Sequence, residues 1–307
     1  MKLMEAPRHI RTITEYHDLM ELPKPEHPLI SVVRFEDIKG RPGRSPKSIS
    51  HHFYSVALKK NVSSKLKYGQ QEIDFDEGIM VFMSPRQVLT VEPGCEEEYK
   101  HTGWLLLIHP DFLWGTSLSN KIREYEYFAY HLWEALHLSS KEELLVVNLI
   151  RQIEQEYQAN MDASSHLIMV AQLELLFQYA GRFYQRQFLT RRKAHHTILE
   201  RMESFLAQRF QDDVLAAQGV PTVESVAEAL HLSCNYLSRL LTTLTGKSTR
   251  HFIQDKLIDL AKEKLSTTDL SVKEIAYQLG FEHAQSFSKF FKNKTHCLPV
   301  VFRQSFN

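Results

Sequence analysis

Cysteine is scarce in this chain of 307 residues, and neither sign of charge is in excess. Cys95, Cys234 and Cys297 are odd in number, lie far apart and form no Cys-x-x-Cys pair. This usage excludes a disulfide framework and a zinc knuckle, and it favours a reducing compartment. Lysine and arginine together number 37, as do aspartate and glutamate, so a nucleic-acid partner has to be argued from local features.

Long apolar runs are absent as well. The longest are no longer than residues 105–108, and residues 1–12 contain charges and a proline where a signal peptide would have its apolar segment. We therefore expect a cytoplasmic protein that is neither exported nor embedded in a membrane. The composition, 43% hydrophobic and 24% charged, is typical of folded domains, and the length is sufficient for two.

The first third of the chain is rich in β-branched and aromatic residues, interrupted by glycine, proline, asparagine and aspartate, which indicates short strands and turns. Strands at this spacing are typical of a sandwich or a small barrel. We predict an N-terminal β-barrel domain over residues 1–135. The predicted strands are residues 29–34, 52–58, 65–68, 79–83, 87–91 and 104–108.

Residues 136–210 have a helical pattern, because apolar residues recur three and four positions apart. Ser139 and Ser140 lie three residues before Glu142 and Glu143, a capping-box pattern that predicts a helix to about residue 159. Its apolar stripe suits packing on its own β domain or a dimer seam between two such helices, and both can be true. Two more helices are predicted, followed by a hinge, over residues 165–185, 197–210 and 211–221 respectively.

The last third of the chain contains an internal repeat. Residues 223–230, VESVAEAL, align with residues 272–279, VKEIAYQL, at a shift of 49. Farther along, residues 237–241 align with residues 287–291 at a shift of 50. Each copy is typical of a helix, a tight turn and a second helix. A predicted helix over residues 249–266 would hold the copies at a fixed separation, as two neighbouring major grooves about 34 Å apart require.

The turn and the second helix of each copy determine which side chains face outward. Gly280 supplies a left-handed turn residue in the second copy, and His231 is expected to adopt that strained conformation in the first. Leucines in one copy and phenylalanines in the other take the buried face of the second helix. The polar residues expected to face outward are Asn235, Tyr236, Ser238, Arg239, Thr242, His283, Gln285, Ser286, Ser288, Lys289 and Lys292.

This outward set suits the major groove of DNA. Arginine and lysine can address guanine, asparagine and glutamine can address adenine, and hydroxyls can bond bases or phosphates. A plain solvated helix face would explain either helix alone. Because the same helix-turn-helix pattern occurs twice, we favour DNA recognition.

At these residues the chain resembles the AraC/XylS family of bacterial transcription regulators, whose DNA-binding domain is two helix-turn-helix units joined by a long helix. The resemblance implies such a domain over residues 211–307, with units at 223–244 and 272–294. It also implies a cupin-like N-terminal barrel that binds a small effector and is followed by dimerising helices. The matching motifs are residues 232–233, 236–240, 245–246, 270–272, 274–276, 279–281, 287–292 and Pro299.

The resemblance also implies roles for single residues. Tyr236 and Ser288 are also predicted to contact DNA, and neither is assigned to bases or to phosphates. Base readers would be Asn235, Ser238, Arg239, Gln285 and Lys289, and phosphate contacts would come from Arg250, Ser286 and Lys292. The chain departs from the family pattern at His296, where the second unit usually has glycine, at Cys297, and at Ala284 with Gln285 in place of Pro-Ser. The last of these departures is expected to change operator preference rather than DNA binding.

Motifs for catalysis are absent from the sequence. His51 and His52 are adjacent, so on a strand they point to opposite faces and cannot bind one metal together. No nucleophile elbow, P-loop or dinucleotide fingerprint is present. We therefore expect no enzyme, no metal and no cofactor. The candidate lining residues of an effector pocket are Tyr54, Met80, Met83 and Trp104, although such residues on strands usually fill a core.

Together these patterns predict an α+β multidomain protein: an N-terminal cupin-like β-barrel with following helices and a C-terminal all-α double helix-turn-helix. Its predicted function is that of a homodimeric transcription regulator; activation is the working expectation, and the sequence leaves repression open. The expected partners are double-stranded promoter DNA, a small-molecule effector and RNA polymerase. Two alternatives stay open: a filled barrel that serves only dimerisation, and a metal-independent ligand-binding or enzymatic cupin-like domain fused to a non-regulatory helical module.

Overall fold

The computed structural model describes residues 7–38, 48–60, 66–68, 71–73, 78–90, 102–131, 134–159, 162–190 and 192–305. The chain divides into two compact units, Met1–Gln187 and Phe188–Asn307. Sequence patterns predict boundaries at residues 135 and 210 instead. The helix that ends at Arg209 belongs to unit 2, because its Met202 and Leu206 share a core with residues of the C-terminal helices.

The strands of unit 1 are β1 Arg8–Ile10, β2 Ile30–Arg34, β3 Ser48–His51, β4 Tyr54–Lys60, β5 Leu66–Tyr68, β6 Gln71–Ile73, β7 Ile79–Met83, β8 Val88–Thr90, β9 Thr102–Ile108 and β10 Leu136–His137. They form a three-stranded sheet in the order β1-β3-β8, a five-stranded sheet in the order β10-β7-β4-β9-β2, and the β5-β6 hairpin pair. Among the strands that the structure describes, β1 and β3 pair in parallel and the other pairs are antiparallel.

Every predicted strand has an observed counterpart, and β7 coincides with its predicted bounds. Within the described residues the strands lie in separate sheets, and a closed barrel is not shown. Sequence patterns missed β1, β3, β6 and β10, which are short. Positions 65 and 91 of the predicted strands, and Cys95, lie outside the described residues.

A core lies between the three-stranded and five-stranded sheets. Ile10 and Ile49 from the smaller sheet pack with Val33, Ala57 and Leu105 from the larger one. The strands alternate, so the neighbouring residues of β4, β7 and β9 face the other side of the larger sheet. There Phe82 contacts aromatic side chains of the helical region.

The helices are α1 Ile13–Leu19, α2 Leu118–Lys121, α3 Ser140–Gln158, α4 Ala163–Thr190, α5 Arg192–Arg209, α6 Asp212–Gln218, α7 Val223–Leu230, α8 Cys234–Thr245, α9 Thr249–Thr267, α10 Val272–Gln278, α11 Ala284–Thr295 and α12 Pro299–Gln304. The predicted capping box of α3 is present, since the amide of Ser139 donates to Glu142 at 2.8 Å. None of the helices in the described part of the chain has the length and apolar character needed to cross a membrane.

The apolar stripe of α3 packs within unit 1. Val147, Ile150, Ile153 and Tyr157 are buried, whereas Leu144, which the sequence places on the same stripe, is exposed. The Tyr157 hydroxyl accepts a hydrogen bond from a backbone amide of the N-terminal loop at 2.7 Å. Packing of this helix on its own domain is therefore observed.

The predicted hinge at residues 211–221 is largely helical. The segment contains α6, and Leu215 is fully buried in the core of the second helix-turn-helix. The two aspartates, the glycine and the proline of this segment favoured a loop. The apolar pair Val214 and Leu215, followed by two alanines, is sufficient for two helical turns once it has a core to pack on.

Candidate nucleic-acid interface

The first helix-turn-helix unit consists of α7 and α8. His231 ends α7 in the left-handed conformation, with φ 57°, as the sequence predicts. The amide of Leu232 donates to the Ala227 carbonyl at 2.9 Å, which closes the turn in a Schellman pattern. Leu230 and Ala227 are buried beside α8 residues in one core.

The second unit, α10 and α11, repeats this geometry. Gly280 has φ 75°, and the amide of Phe281 donates to the Ala276 carbonyl at 2.9 Å. Thr222 before α7 and Ser271 before α10 both form capping boxes. The sequence repeat is therefore a structural repeat, down to the hydrogen bonds that cap the first helix of each unit.

The second helix of each unit buries one face. Leu237, Leu240 and Leu241 of α8 are fully buried, and Phe287 and Phe291 of α11 are too. The side chain of Ser233 caps α8 by accepting from the amide of Tyr236 at 3.2 Å. These contacts fix the rotation of each helix about its axis, so its opposite face is turned to solvent.

Most of the predicted reading residues lie on those outward faces. The exposed ones are Asn235, Gln285, Ser286, Lys289 and Lys292, and the half-buried ones are Ser238, Arg239 and Ser288. Arg250 is exposed as well, but it lies at the start of α9. Within the described part of the chain, no ion pair or side-chain hydrogen bond engages Arg239, Lys289 or Lys292. Their charges are available to an anionic partner.

Tyr236 is the exception, because it is 7% exposed rather than facing outward. It lies at the third position of α8, directly before Leu237, and its ring packs edge-on against Phe188 at 5.1 Å.

Two hydroxyls of the predicted DNA-binding set already form hydrogen bonds within the protein. Ser238 contacts Thr249 at 3.3 Å, and Ser288 donates to the carbonyl of Ala284 at 2.9 Å.

A carboxylate of α9 pairs with lysines that follow or end the two outward helices. Asp255 accepts from Lys247 at 2.6 Å and lies 3.8 Å from Lys294. The hydrogen bond to Asp255 raises the pKa of Lys247. Lys247 and Lys294 are therefore less available to phosphates than Lys289 and Lys292.

The four predicted effector-pocket residues are all buried, but they do not share one face of the sheet. Trp104 and Met80 both pair with Leu58, and Tyr54 lies on the same face, because it is four residues from Leu58 on β4. Met83 pairs with Ser55 and faces the opposite side. The structure therefore does not bring these four side chains together around one cavity.

Trp104 instead belongs to an ion-pair cluster. Its indole nitrogen donates to Glu154 at 3.3 Å, and Arg34 donates twice to the same carboxylate, at 2.8 and 2.9 Å. The guanidinium groups of Arg34 and Arg151 lie 5.4 and 5.8 Å from the Trp104 ring. The hydrogen bond to Glu154 raises the pKa of Arg34 further above its ordinary value.

Sequence patterns missed a polar group inside unit 1. His51 is buried in β3, stacks on Phe53 at 5.0 Å and meets Tyr16 edge-on. Among the described residues its Nε2 has no hydrogen-bond partner. Burial lowers the pKa of His51 to about 4, so the ring is neutral. The alternation that places Ile49 in the core would have placed His51 there too.

Metal sites are not found in the described part of the chain, where no group of three or more histidine, cysteine, aspartate or glutamate side chains could hold an ion.

Residues 226–305 match a family of helix-turn-helix domains; the match begins within α7 and continues through α12. The C-terminal domain is an AraC-type helix-turn-helix domain. The chain is also similar to the HTH-type transcriptional regulator YfiF of Bacillus subtilis, 30% identical over 45% of this chain and 41% of YfiF. A second relative is the HTH-type transcriptional regulator YijO of Escherichia coli, 33% identical over 28% of this chain and 30% of YijO. The aligned region thus spans less than half the length of these relatives.

Two solved structures are each similar to about a third of this chain. The C-terminal domain of the response regulator yesN from Fusobacterium nucleatum is 30% identical and covers 34% of this chain and 95% of its own, with a TM-score of 0.30. The DNA-binding domain of AdpA, solved with a target DNA, is 23% identical and covers 34% of this chain and 92% of its own, also with a TM-score of 0.30.

Proposed function

We propose that the protein is a cytoplasmic transcription regulator that binds promoter DNA by placing α8 and α11 in two successive major grooves. The carrying observation is the repeated unit, with the same turn at His231 and Gly280 and a polar outward face on each second helix. Helix α9, with 19 residues, is about 28 Å long. That length is comparable with the roughly 34 Å between successive major grooves on one face of the duplex.

The proposed base readers in the first unit are Asn235, Ser238 and Arg239, and those in the second unit are Gln285 and Lys289. Exposure supports this assignment for Asn235, Gln285 and Lys289. Three further residues, Arg250, Ser286 and Lys292, are proposed to contact phosphates. The burial of Tyr236 favours a packing role, and Ser288 would have to give up its bond to the helix backbone to contact DNA.

Selection of random duplexes by the full-length protein tests this proposal. At near-physiological salt, the enriched sequences should contain two half-elements about one helical turn apart. A mutant with Arg239→Ala, Gln285→Ala and Lys289→Ala serves as the matched control, since none of these three residues is buried. Enrichment of the same motif by the mutant, or no enrichment by the parent protein, would contradict the proposed function.

For unit 1 we propose a cupin-like domain that binds a small effector and shifts the DNA-binding domains of a homodimer. The Nε2 of buried His51 has no hydrogen-bond partner among the described residues, and such a nitrogen costs about 1 to 3 kcal/mol. This cost favours an effector that brings a polar group to His51. Exposed Leu167, Ile168 and Leu175 on α4 support a dimer surface. Equal operator affinity and an identical footprint across a broad panel of metabolites would argue against effector control.

We propose that DNA binding by this protein activates transcription through RNA polymerase. Transcription in vitro from the selected operator tests this proposal.

A further inference from the structure

Residues 210–220, which we call the bridging segment, contact the cores of both helix-turn-helix units. Phe210 at its start and Val220 at its end each pack against the core of the first unit and the core of the second. Between them Leu215 is fully buried in the core of the second unit. The segment therefore connects the two units at a place distant in sequence from α9.

The backbone of the bridging segment lies directly against the turn of the second unit. A Cβ added at Gly280 would lie 2.9 Å from the carbonyl oxygen of Leu215 and 3.0 Å from the Cα of Gly219. Atoms this close cannot be accommodated without a shift of backbone. Because Gly280 lies in the turn between α10 and α11, its position affects where α11 points.

The other end of this connection belongs to the first unit. Arg209, the last residue of α5, donates to the carbonyl of Gly219 at 3.4 Å. Met202 and Leu206 of α5 pack in one core with Ala227 of α7. Contacts therefore continue from the first unit through α5 and the bridging segment to the turn of the second unit.

We propose that the bridging segment is a positioning element that holds α8 and α11 at one separation and angle. Helix α9 connects the two units as well, with Ile253 in the first core and Leu257 and Leu265 in the second. The bridging segment adds a second, separate connection, at Gly280. On the proposed function, which this inference extends, the segment would set the spacing between half-elements that the protein accepts.

Pulsed electron paramagnetic resonance of the full chain tests the positioning without DNA. Nitroxides are attached at Asn235→Cys and Gln285→Cys, two exposed sites on the outward helices, after Cys95, Cys234 and Cys297 are each replaced by serine. Excess unlabelled protein removes distances between protomers of a dimer. The parent should give one narrow distance distribution, and Gly280→Ala should shift or broaden it.

The control for Gly280→Ala is Gly246→Ala. Both glycines have nearly the same left-handed φ, 75° and 73°, but a Cβ at Gly246 meets nothing within 4 Å. Strain from the backbone is thus matched, and only the contact with the bridging segment differs. A second pair, Leu215→Ala against Leu265→Ala, removes the same atoms from one core, inside and outside the bridging segment. The leucine pair also tests the proposal if Gly280→Ala fails to fold. Equal distance distributions within both pairs would overturn the proposal.

Duplex binding then tests the consequence for specificity. One or two base pairs are inserted between the half-elements of the selected operator, and affinities of parent and variants are compared. The preference of the parent for the original spacing should fall by about tenfold in Gly280→Ala and stay in Gly246→Ala. An unchanged preference in Gly280→Ala would contradict the role in spacing. If the parent selects no motif while the distance distributions differ as expected, the proposed function fails and the positioning role stands.

Discussion

His231 and Gly280 occupy the same turn position in the two helix-turn-helix units, with φ of 57° and 75°. They differ in what surrounds them. Gly280 has the backbone of Leu215 and Gly219 against it, so a side chain has no room there. His231 is exposed, and the unit tolerates the strain of a left-handed non-glycine residue there.

The two turns should respond in opposite ways to substitution. His231→Gly should raise the free energy of unfolding by up to about 1 kcal/mol, because left-handed strain of about 1 to 2 kcal/mol is relieved while glycine's larger unfolded-state entropy offsets part of it. Gly280→His should lower it by more than the strain alone. Urea denaturation followed by circular dichroism measures both. Equal and opposite changes would show that φ, and not contact with the bridging segment, dominates at Gly280.

The same reasoning applies to the ends of α8 and α11, where Gly246 and His296 are both left-handed, with φ of 73° and 59°. His296→Gly should stabilise the second unit by up to about 1 kcal/mol. Gly246→Ala should destabilise the first by about 1 kcal/mol, since nothing clashes with the new methyl group. A loss of stability in His296→Gly would mean that the histidine makes a contact worth more than the strain.

Base and phosphate contacts should be separable by mutation. Arg239→Ala should cost about 1 to 3 kcal/mol of binding and relax base preference at one operator position. Lys292→Ala should weaken binding to all sequences alike and reduce the salt slope by about 1. Lys256→Ala, an exposed lysine on α9, is the control that should change neither. If Arg239→Ala left affinity and preference unchanged, the placement of α8 in the groove would be wrong.

The buried carboxylate of Glu154 should stabilise unit 1. It accepts two hydrogen bonds from Arg34 and one from Trp104, so Glu154→Ala should cost about 1 to 3 kcal/mol. The cost stays moderate because the side chain of Arg34 is 49% exposed and its charge remains solvated. Thermal unfolding measures it, with the exposed Gln155→Ala on the same helix as control. Equal stability of both variants would show that water replaces these bonds without loss.

Acid should destabilise unit 1 through His51. Burial lowers its pKa from 6.5 to about 4 in the folded protein, so the unfolded chain binds the proton more readily. The contribution of neutral His51 to the free energy of unfolding is therefore fully present above pH 6.5. It falls by roughly 3 kcal/mol as the pH decreases towards 4. His51→Phe should flatten this part of the pH profile, whereas His52→Gln should not. A profile unchanged in His51→Phe would assign the acid sensitivity to other groups.

Sequence patterns predicted the C-terminal units closely because local rules govern them. The repeat, the capping residues and the left-handed turns at His231 and Gly280 are all determined within a few residues. Contacts between distant segments were harder to predict. The role of residues 211–221 depends on Leu215 reaching a core formed by residues far along the chain. Trp104 lies in a strand as predicted, but the ion pair it joins depends on sheet register and on α3.

Tyr236 was predicted to face outward, and it is buried for a physical reason. A helical position beside the buried stripe is exposed or covered depending on what packs next to it, and the periodicity of α8 alone does not contain that neighbour. The ring of Phe188 covers Tyr236, and Phe188 is 48 residues earlier in the chain. The helical pattern placed Asn235, Gln285, Ser286, Lys289 and Lys292 outward, where they are exposed, whereas Ser238, Arg239 and Ser288, which adjoin the stripe, are half-buried.

The central claim is that each helix-turn-helix unit reads one groove. Hydroxyl-radical footprinting of the full-length protein on its selected operator measures this at single-nucleotide resolution. Two protected regions should appear on one face of the duplex, about one helical turn apart. Arg239→Ala should weaken protection of one region, and Lys289→Ala that of the other. A single protected region, or loss of both regions together in each variant, would contradict the account.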